Sequence, residues 1–187
     1  NALEVKDAID VLAGRTQGDL LEISLLLGSH MLVLAEKAKT LPEARTMLEN
    51  ALSSGAGLRK LAEMIAAQGG DPRVVEDLSL LPQAAVKRVM RAETAGYLSA
   101  MDTTALGMAA QRMGAGRAKK SDMLDYSVGY VLHVRLGDEV TEDTPLATLY
   151  ARNEAEAEEA EKAIRKALTI AKEKPSVPPL WDAVVTA

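Results

Sequence analysis

The chain has 187 residues, a net charge of −5, 48% hydrophobic and 26% charged residues, an ordinary balance for a folded, soluble protein and enough chain for one large domain or two small ones. Its basic residues are interleaved with acidic ones, which leaves no continuous positive surface for a phosphate backbone and disfavours nucleic-acid binding. The absence of cysteine excludes disulfide, zinc-thiolate and thiol-nucleophile chemistry, and with aromatics at 3% and no Phe the core must come from Leu, Ala, Val, Ile and Met, which favours helix packing.

In chain order, Leu3, Val5, Ala8, Ile9 and Leu12 fall on one face at a period near 3.6 and predict a first helix, punctuated by Gly14. Asp19 with Glu22 three residues later predicts a capping pair for a second helix carrying Leu20, Leu21, Ile23, Leu25 to Leu27, Met31, Leu32 and Leu34. That helix is apolar around much of its circumference and needs cover on several sides, which upstream structure is expected to supply. Its apolar run, broken by Gly28-Ser29-His30, is too short to span a bilayer. No basic leader with a cleavable apolar segment is present, and the start at Asn1 in place of Met reads as truncation or processing.

Leu41-Pro42 opens a third helix with Ala44, Met47, Leu48, Ala51 and Leu52 inside and Gly55 and Gly57 at its end. Leu58, Leu61, Ala62, Ile65 and Ala66 continue helically to the break at Gly69-Gly70-Asp71-Pro72, where the boundary between two modules is placed. The predicted organisation is a helical part over 1–71, a short helical connector over 72–83 and a compact α+β domain over 84–187. Within that domain, Ala85–Ala92 and Gly96–Met101 predict strands that pair with each other. Asp102 caps a helix running through Met113 and stopped by Gly114-Ala115-Gly116. Val128–Arg135 and Leu146–Ala151 are further strands of a mostly antiparallel sheet, flanking a turn at Leu136-Gly137-Asp138-Glu139. A last helix is predicted from about Asn153 to Ala171, followed by a proline-rich tail.

None of the candidate chemical constellations outweighs a structural reading. Gly114-Ala115-Gly116-Arg117 has the residues of an anion cradle but follows a helix instead of preceding one, so a helix exit is favoured. His30 and His133, the two histidines, have no ligand spacing around them and read as packing residues. Asp122, Asp125, Asp138, Glu139, Glu142 and Asp143 lack the ligand order of a calcium loop and read as a solvated acidic face, as does the Glu154 to Glu161 run with Lys162, Arg165 and Lys166 at helical spacing.

The opening run Asn1-Ala2-Leu3-Glu4-Val5-Lys6 together with Ala66-Ala67-Gln68-Gly69-Gly70-Asp71, Ala115-Gly116-Arg117, Asp125-Tyr126-Ser127-Val128-Gly129 and Arg135-Leu136-Gly137-Asp138 resembles the C-terminal portion of pyrimidine-nucleoside phosphorylases. The resemblance covers essentially the whole chain. It implies that the helical part belongs to an incomplete α/β domain, with the α+β domain appended. It also implies a parent enzyme that is a cytosolic homodimer and uses phosphate to displace thymine or uracil from a pyrimidine nucleoside, giving a pentose 1-phosphate. The family's phosphate-binding and catalytic residues lie upstream of the opening run, so no catalytic or substrate-binding residue is assigned in this chain, which is expected to be inactive without the N-terminal portion. One residue is carried over: Asp7, directly after that run, stands where the family typically has Glu as part of a monovalent-cation (potassium) site, and its carboxylate is one methylene shorter. The alternative is a biotinyl- or lipoyl-like carrier or interaction module, suggested by Gly129-Tyr130-Val131-Leu132, Leu136 to Val140 and Pro145-Leu146-Ala147, which resemble half of such a domain. A carrier needs a modifiable Lys at a tight hairpin, whereas this chain enters a helix after Leu149.

Overall fold

The computed structural model describes residues 1–185. The chain divides into two compact units, one made of Asn1–Leu3 with Leu81–Pro179 and the other of Glu4–Leu80 with the segment from Leu180.

Helices make up the second of these units. Helix α1 (Ala2–Leu12), α2 (Asp19–Leu34), α3 (Leu41–Ser53) and α4 (Ala56–Ala67) are followed by two short 3-10 turns, Pro72–Val75 and Leu78–Leu80. Val11, Leu21 and Leu25 are buried together, with Leu48 and Leu52 of α3 packed on them. Gly28 allows the close approach of α2 to α3, since a β-carbon there would lie 2.9 Å from Leu48 Cδ1. Thr40 caps α3 by accepting the Glu43 amide at 3.3 Å, and Glu43 returns a carboxylate to the Lys39 amide at 2.9 Å.

Two local expectations fail in this unit. The Asp19–Glu22 capping pair does not form, because Gly18 occupies the cap position of α2 and the Glu22 carboxylate is held by Arg45 at 3.0 Å. Gly57 does not end α3; it lies inside α4, and the single left-handed residue Gly55 (φ 70°) is enough to separate the helices.

The other unit is α+β, as the pattern predicts, with strands β1 (Val86–Arg91), β2 (Gly96–Met101), β3 (Gly129–Leu132), β4 (Glu139–Val140), β5 (Pro145–Ala151) and β6 (Leu168–Ala171). All pairings are antiparallel, but they form two three-stranded sheets, β1-β5-β3 and β4-β2-β6. The predicted β1–β2 pair is therefore absent: β1 aligns Val89 with Thr148 of β5, while β2 aligns Leu98 with Ile170 of β6. Short sequence separation favours the hairpin, yet the almost wholly buried β5 offers a better apolar partner than the half-buried β2, both sides of which are taken by β4 and β6.

Helix α5 (Thr103–Ala110) starts at Asp102, whose carboxylate accepts the Ala105 amide at 2.8 Å, and continues as one π turn, Gln111–Ala115, until Gly114 turns left-handed (φ 100°). Helix α6 (Glu154–Ala167) is capped by Asn153, which accepts the Glu156 amide at 2.9 Å, and seats Ala157, Ala160, Ile164 and Ala167 against the core. It ends four residues earlier than its periodicity predicts. Ile164, Ala167, Leu168 and Ala171 are compatible with a helical stripe, but Thr169 and Ile170 are β-branched and pair along the side of β2 away from β4, so Leu168–Ala171 becomes β6. The core between the sheets and helices includes Met90, Leu98, Val128, Val140, Leu146, Leu149 and Ile164, all essentially inaccessible.

Candidate functional site

Asp7 sits on the exposed side of α1, next to an ion-pair cluster in which Lys6 reaches Asp10 at 2.5 Å and Arg15 reaches it at 3.2 Å. The hydrogen bond from Lys6 is the main reason the Asp10 carboxyl is held below its ordinary value. Among the described residues, no group of three or more His, Asp or Glu side chains is arranged to hold a metal ion. Asp7 thus supplies at most one carboxylate, and further oxygens for a cation would have to come from elsewhere.

The glycine-rich exit from α5 is closed by its own loop. Gln111 Nε2 donates to the Arg117 carbonyl at 2.6 Å, the Asp125 amide donates to the Gly114 carbonyl at 3.0 Å, and Asp122 accepts the Ala118 and Lys119 amides. These contacts tie the Ala118, Lys119 and Asp125 amides into the loop's own turns. Asp125 receives the Ser127 hydroxyl at 2.6 Å, the first cause of its lowered carboxyl pKa, and Asp138 accepts the Arg135 amide at 2.7 Å. Asp122, Asp125 and Asp138 each hold their own turn, and Glu139 lies in β4.

His133 pairs through Nε2 with the buried Thr148 hydroxyl at 2.7 Å, which locks β3's exit onto β5. His30 differs: its Nε2 is shielded from solvent and has no partner among the described residues. The acidic face of α6 is neutralised pairwise, with Glu156 on Arg152 at 2.8 Å, Glu158 on Lys162 at 2.9 Å and Glu161 shared between Arg88 and Arg165 at 2.9 Å each. A groove of about 450 Å³ between α5 and α6 is lined by Arg112, Met113, Glu159, Ala163 and Lys166, without a nucleophile and base in register. After Leu149, where a carrier would turn at a modifiable lysine, β5 runs on to Ala151 and the chain enters α6 through its cap Asn153.

The most distinctive surface is on α2. Leu21, Leu25 and Ser29 face inward, while Leu20, Leu27, Met31 and Leu34, at helical spacings of seven, four and three, face outward and are 49%, 57%, 69% and 83% exposed. Ser24, the polar residue in this outer stripe, donates its hydroxyl to the Leu20 carbonyl at 2.6 Å and needs no outside partner. At its N-terminal end the stripe runs into an apolar groove of about 300 Å³ lined by Leu12, Leu20, Ser24, Leu48 and Ala51. Composition revealed that α2 was apolar on more than one side. Which side stays open depends on where α1 and α3 pack, and no local sequence signal carries that.

Residues 97–171 match the family described as the pyrimidine nucleoside phosphorylase C-terminal domain. The chain is similar to the pyrimidine-nucleoside phosphorylase of Bacillus subtilis, 48% identical over 82% of this chain and 36% of the relative. It is equally similar, 48% identical over the same shares, to the one from Geobacillus stearothermophilus. The relative from Staphylococcus aureus is 42% identical over 91% of this chain and 39% of its own length. The chain thus spans little more than a third of the curated relatives it matches.

Proposed function

We propose, from the match of residues 97–171 to the pyrimidine nucleoside phosphorylase C-terminal domain, that the chain is the non-catalytic, supporting portion of an enzyme that cleaves pyrimidine nucleosides with inorganic phosphate. In that reaction phosphate attacks the anomeric carbon of the nucleoside, the bond to the pyrimidine nitrogen breaks, and the products are the free base and a pentose 1-phosphate. Such a step needs cationic donors for phosphate and polar contacts to the departing base, held together in one cleft. The single observation that carries the assignment of a supporting role is the pairing of 42% to 48% identity with a matched share of only 36% to 39% of the relatives. It is consistent with that role that the polar groups of the α5 exit, the acidic turns and α6 are spent on internal hydrogen bonds and ion pairs.

On this reading the chain provides helices at the rear of the larger lobe and the appended α+β domain. Asp7 contributes one carboxylate to a monovalent-cation site, potassium being the candidate, completed by oxygens outside this chain. The parent enzyme works in the cytoplasm as a homodimer; among the described residues no helix is long and apolar enough to cross a membrane.

The test is phosphate-dependent release of thymine or uracil, followed by absorbance change on thymidine and uridine. The purified 187-residue chain is expected to release no base above the buffer rate, and the same chain joined to the missing portion of a relative is expected to do so. Turnover by the chain alone would overturn the supporting role; an inactive but folded joined enzyme would overturn the phosphorylase reading.

A further inference from the structure

We propose that the groove between α5 and α6 binds a small organic anion, its carboxylate or phosphate held between Arg112 and Lys166 and its apolar body laid on Ala109, Met113 and Ala160. The site is defined by these residues alone, whatever reaction the parent enzyme performs.

Charge is the first reason. The groove is lined by Arg112, Lys162 and Lys166 against Glu156 and Glu159, three cations to two carboxylates, and both carboxylates already have a partner. Glu156 holds Arg152 at 2.8 Å, while Glu159 meets Lys162 at 3.3 Å, a lysine that also holds Glu158 at 2.9 Å. Arg112 and Lys166 are left over, with no ion pair or side-chain hydrogen bond among the described residues. A ligand that brings a negative group therefore meets two cations without displacing an existing pair.

Helix direction turns these two cations toward one another. The Asp102 amide donates to the Ala167 carbonyl at 2.8 Å, which sets the start of α5 beside the end of α6. At the other end, a β-carbon at Gly114 would lie 3.6 Å from Arg152 Nη1, just before α6 begins. The helices are antiparallel, so Arg112 and Lys166 start from opposite ends of the groove. Helical side chains lean toward the N-terminus of their own helix, and in an antiparallel pair that makes these two lean inward over the same floor. Arg112 and Met113 are presented by the π turn Gln111–Ala115, a widened turn of a kind that recurs at functional sites.

The floor decides the rest of the ligand. Ala109, Met113 and Ala160 are 2%, 4% and 5% exposed and offer no polar side-chain group, so a bare inorganic anion uses the cations alone. An anion with an apolar body uses the floor as well. The groove, about 450 Å³, has the size of a small-molecule site.

The experiment titrates the 187-residue chain with hexyl phosphate and with heptanoate, and in parallel with inorganic phosphate and hexanol, while carbon NMR follows the Met113 and Ala160 methyl groups. One of the two amphiphilic anions is expected to bind with a Kd of about 1 mM or below, at least about tenfold tighter than either control, and to shift both methyl signals. Whichever of the two binds more tightly tells whether the site reads phosphate or carboxylate. Arg112→Gln with Lys166→Gln, both exposed positions, should weaken that binding at least about tenfold while helix content by circular dichroism stays that of the parent chain. Ala163→Leu, which fills the groove and keeps both cations, should remove the advantage over inorganic phosphate. Failure of both anions to bind below about 10 mM would overturn the proposal, as would equal binding by the double glutamine variant. Inorganic phosphate binding as tightly as hexyl phosphate would reduce the site to an adventitious ion only and overturn it too.

Discussion

Truncating Ile164 to alanine tests how α6 is seated. Ile164 is 0% exposed, and the other inward residues of α6, Ala157, Ala160 and Ala167, are already as small as a side chain can usefully be. Removing the outer carbons of Ile164 therefore leaves a hole that no neighbour on the helix can fill, and the opposing residues Leu146, Leu149 and Met90 are themselves fully packed. Buried Ile or Leu to Ala changes cost about 2–5 kcal/mol, with the larger values where the site cannot collapse, so a loss of about 4 kcal/mol is expected. Ile164→Val keeps most of the volume and should cost about 1 kcal/mol. Leu27→Ala, on the open face of α2, should stay within about 0.5 kcal/mol. The tyrosines Tyr97, Tyr126, Tyr130 and Tyr150 all belong to the α+β unit, whereas Trp181 belongs to the other, so tyrosine absorbance during urea unfolding follows the perturbed unit and Trp181 fluorescence provides an internal reference. At a slope of about 1.5 kcal/mol per molar urea, the tyrosine midpoint should fall by between about 2 and 3 M. A shift below about 1 M, or one matched by Leu27→Ala, would refute the claim that this side chain anchors the helix.

Three further outcomes are expected. Gly96→Ala should cost more than about 2 kcal/mol and release β6, because φ is +154° and the new β-carbon would lie 2.5 Å from the Ala171 carbonyl oxygen; loss of hydrogen-exchange protection at Leu168–Ala171 is the readout. His30→Leu should raise stability by about 1 kcal/mol, since it removes a shielded nitrogen without a partner, and an unchanged or lower urea midpoint would contradict that account. Asp71 is bound by the Arg73 guanidinium and amide, which lowers its pKa to about 2 from an ordinary 3.8. A carboxyl depressed in the folded state stabilises it fully above its unfolded pKa and loses that contribution as pH falls through the folded one. The turn after α4 should therefore weaken between about pH 4 and pH 2, and Asp71→Asn should abolish this titration in carbon NMR spectra of the carboxyl.

Much of this architecture was legible because the signals were local. Thr40 and Pro42, Asp102, and Asn153 each announce a helix start through a short polar side chain or a fixed φ, and all three helices begin there. The failures among the strands share an origin in partners distant along the chain. Leu168–Ala171 satisfies a helical period and a strand equally well, and only β2, some seventy residues earlier, decides between them. Likewise Val86–Arg91 reads as half of a hairpin until β5 supplies a more buried neighbour. The charge network that ties Arg88 to Glu161 and Arg165 to Glu93 was invisible for the same reason: each residue alone reads as solvated. On α2, composition alone revealed two apolar sides, and the tertiary packing of α1 and α3 chose the one left open.

The junction between α6 and β6 has no loop. Ala167 is the last helical residue, Leu168 the first of the strand, and the Ala167 carbonyl accepts the Asp102 amide at 2.8 Å, just before α5 begins. Helix and strand are thus threaded without slack, and a single residue gained or lost at this seam would rotate the alanine row off the core or invert which side of the edge strand meets it. The long excursion between Gly116 and Ser127 has turns of its own to absorb such a change. Natural length variation among related domains should accordingly gather in that excursion and avoid the seam altogether.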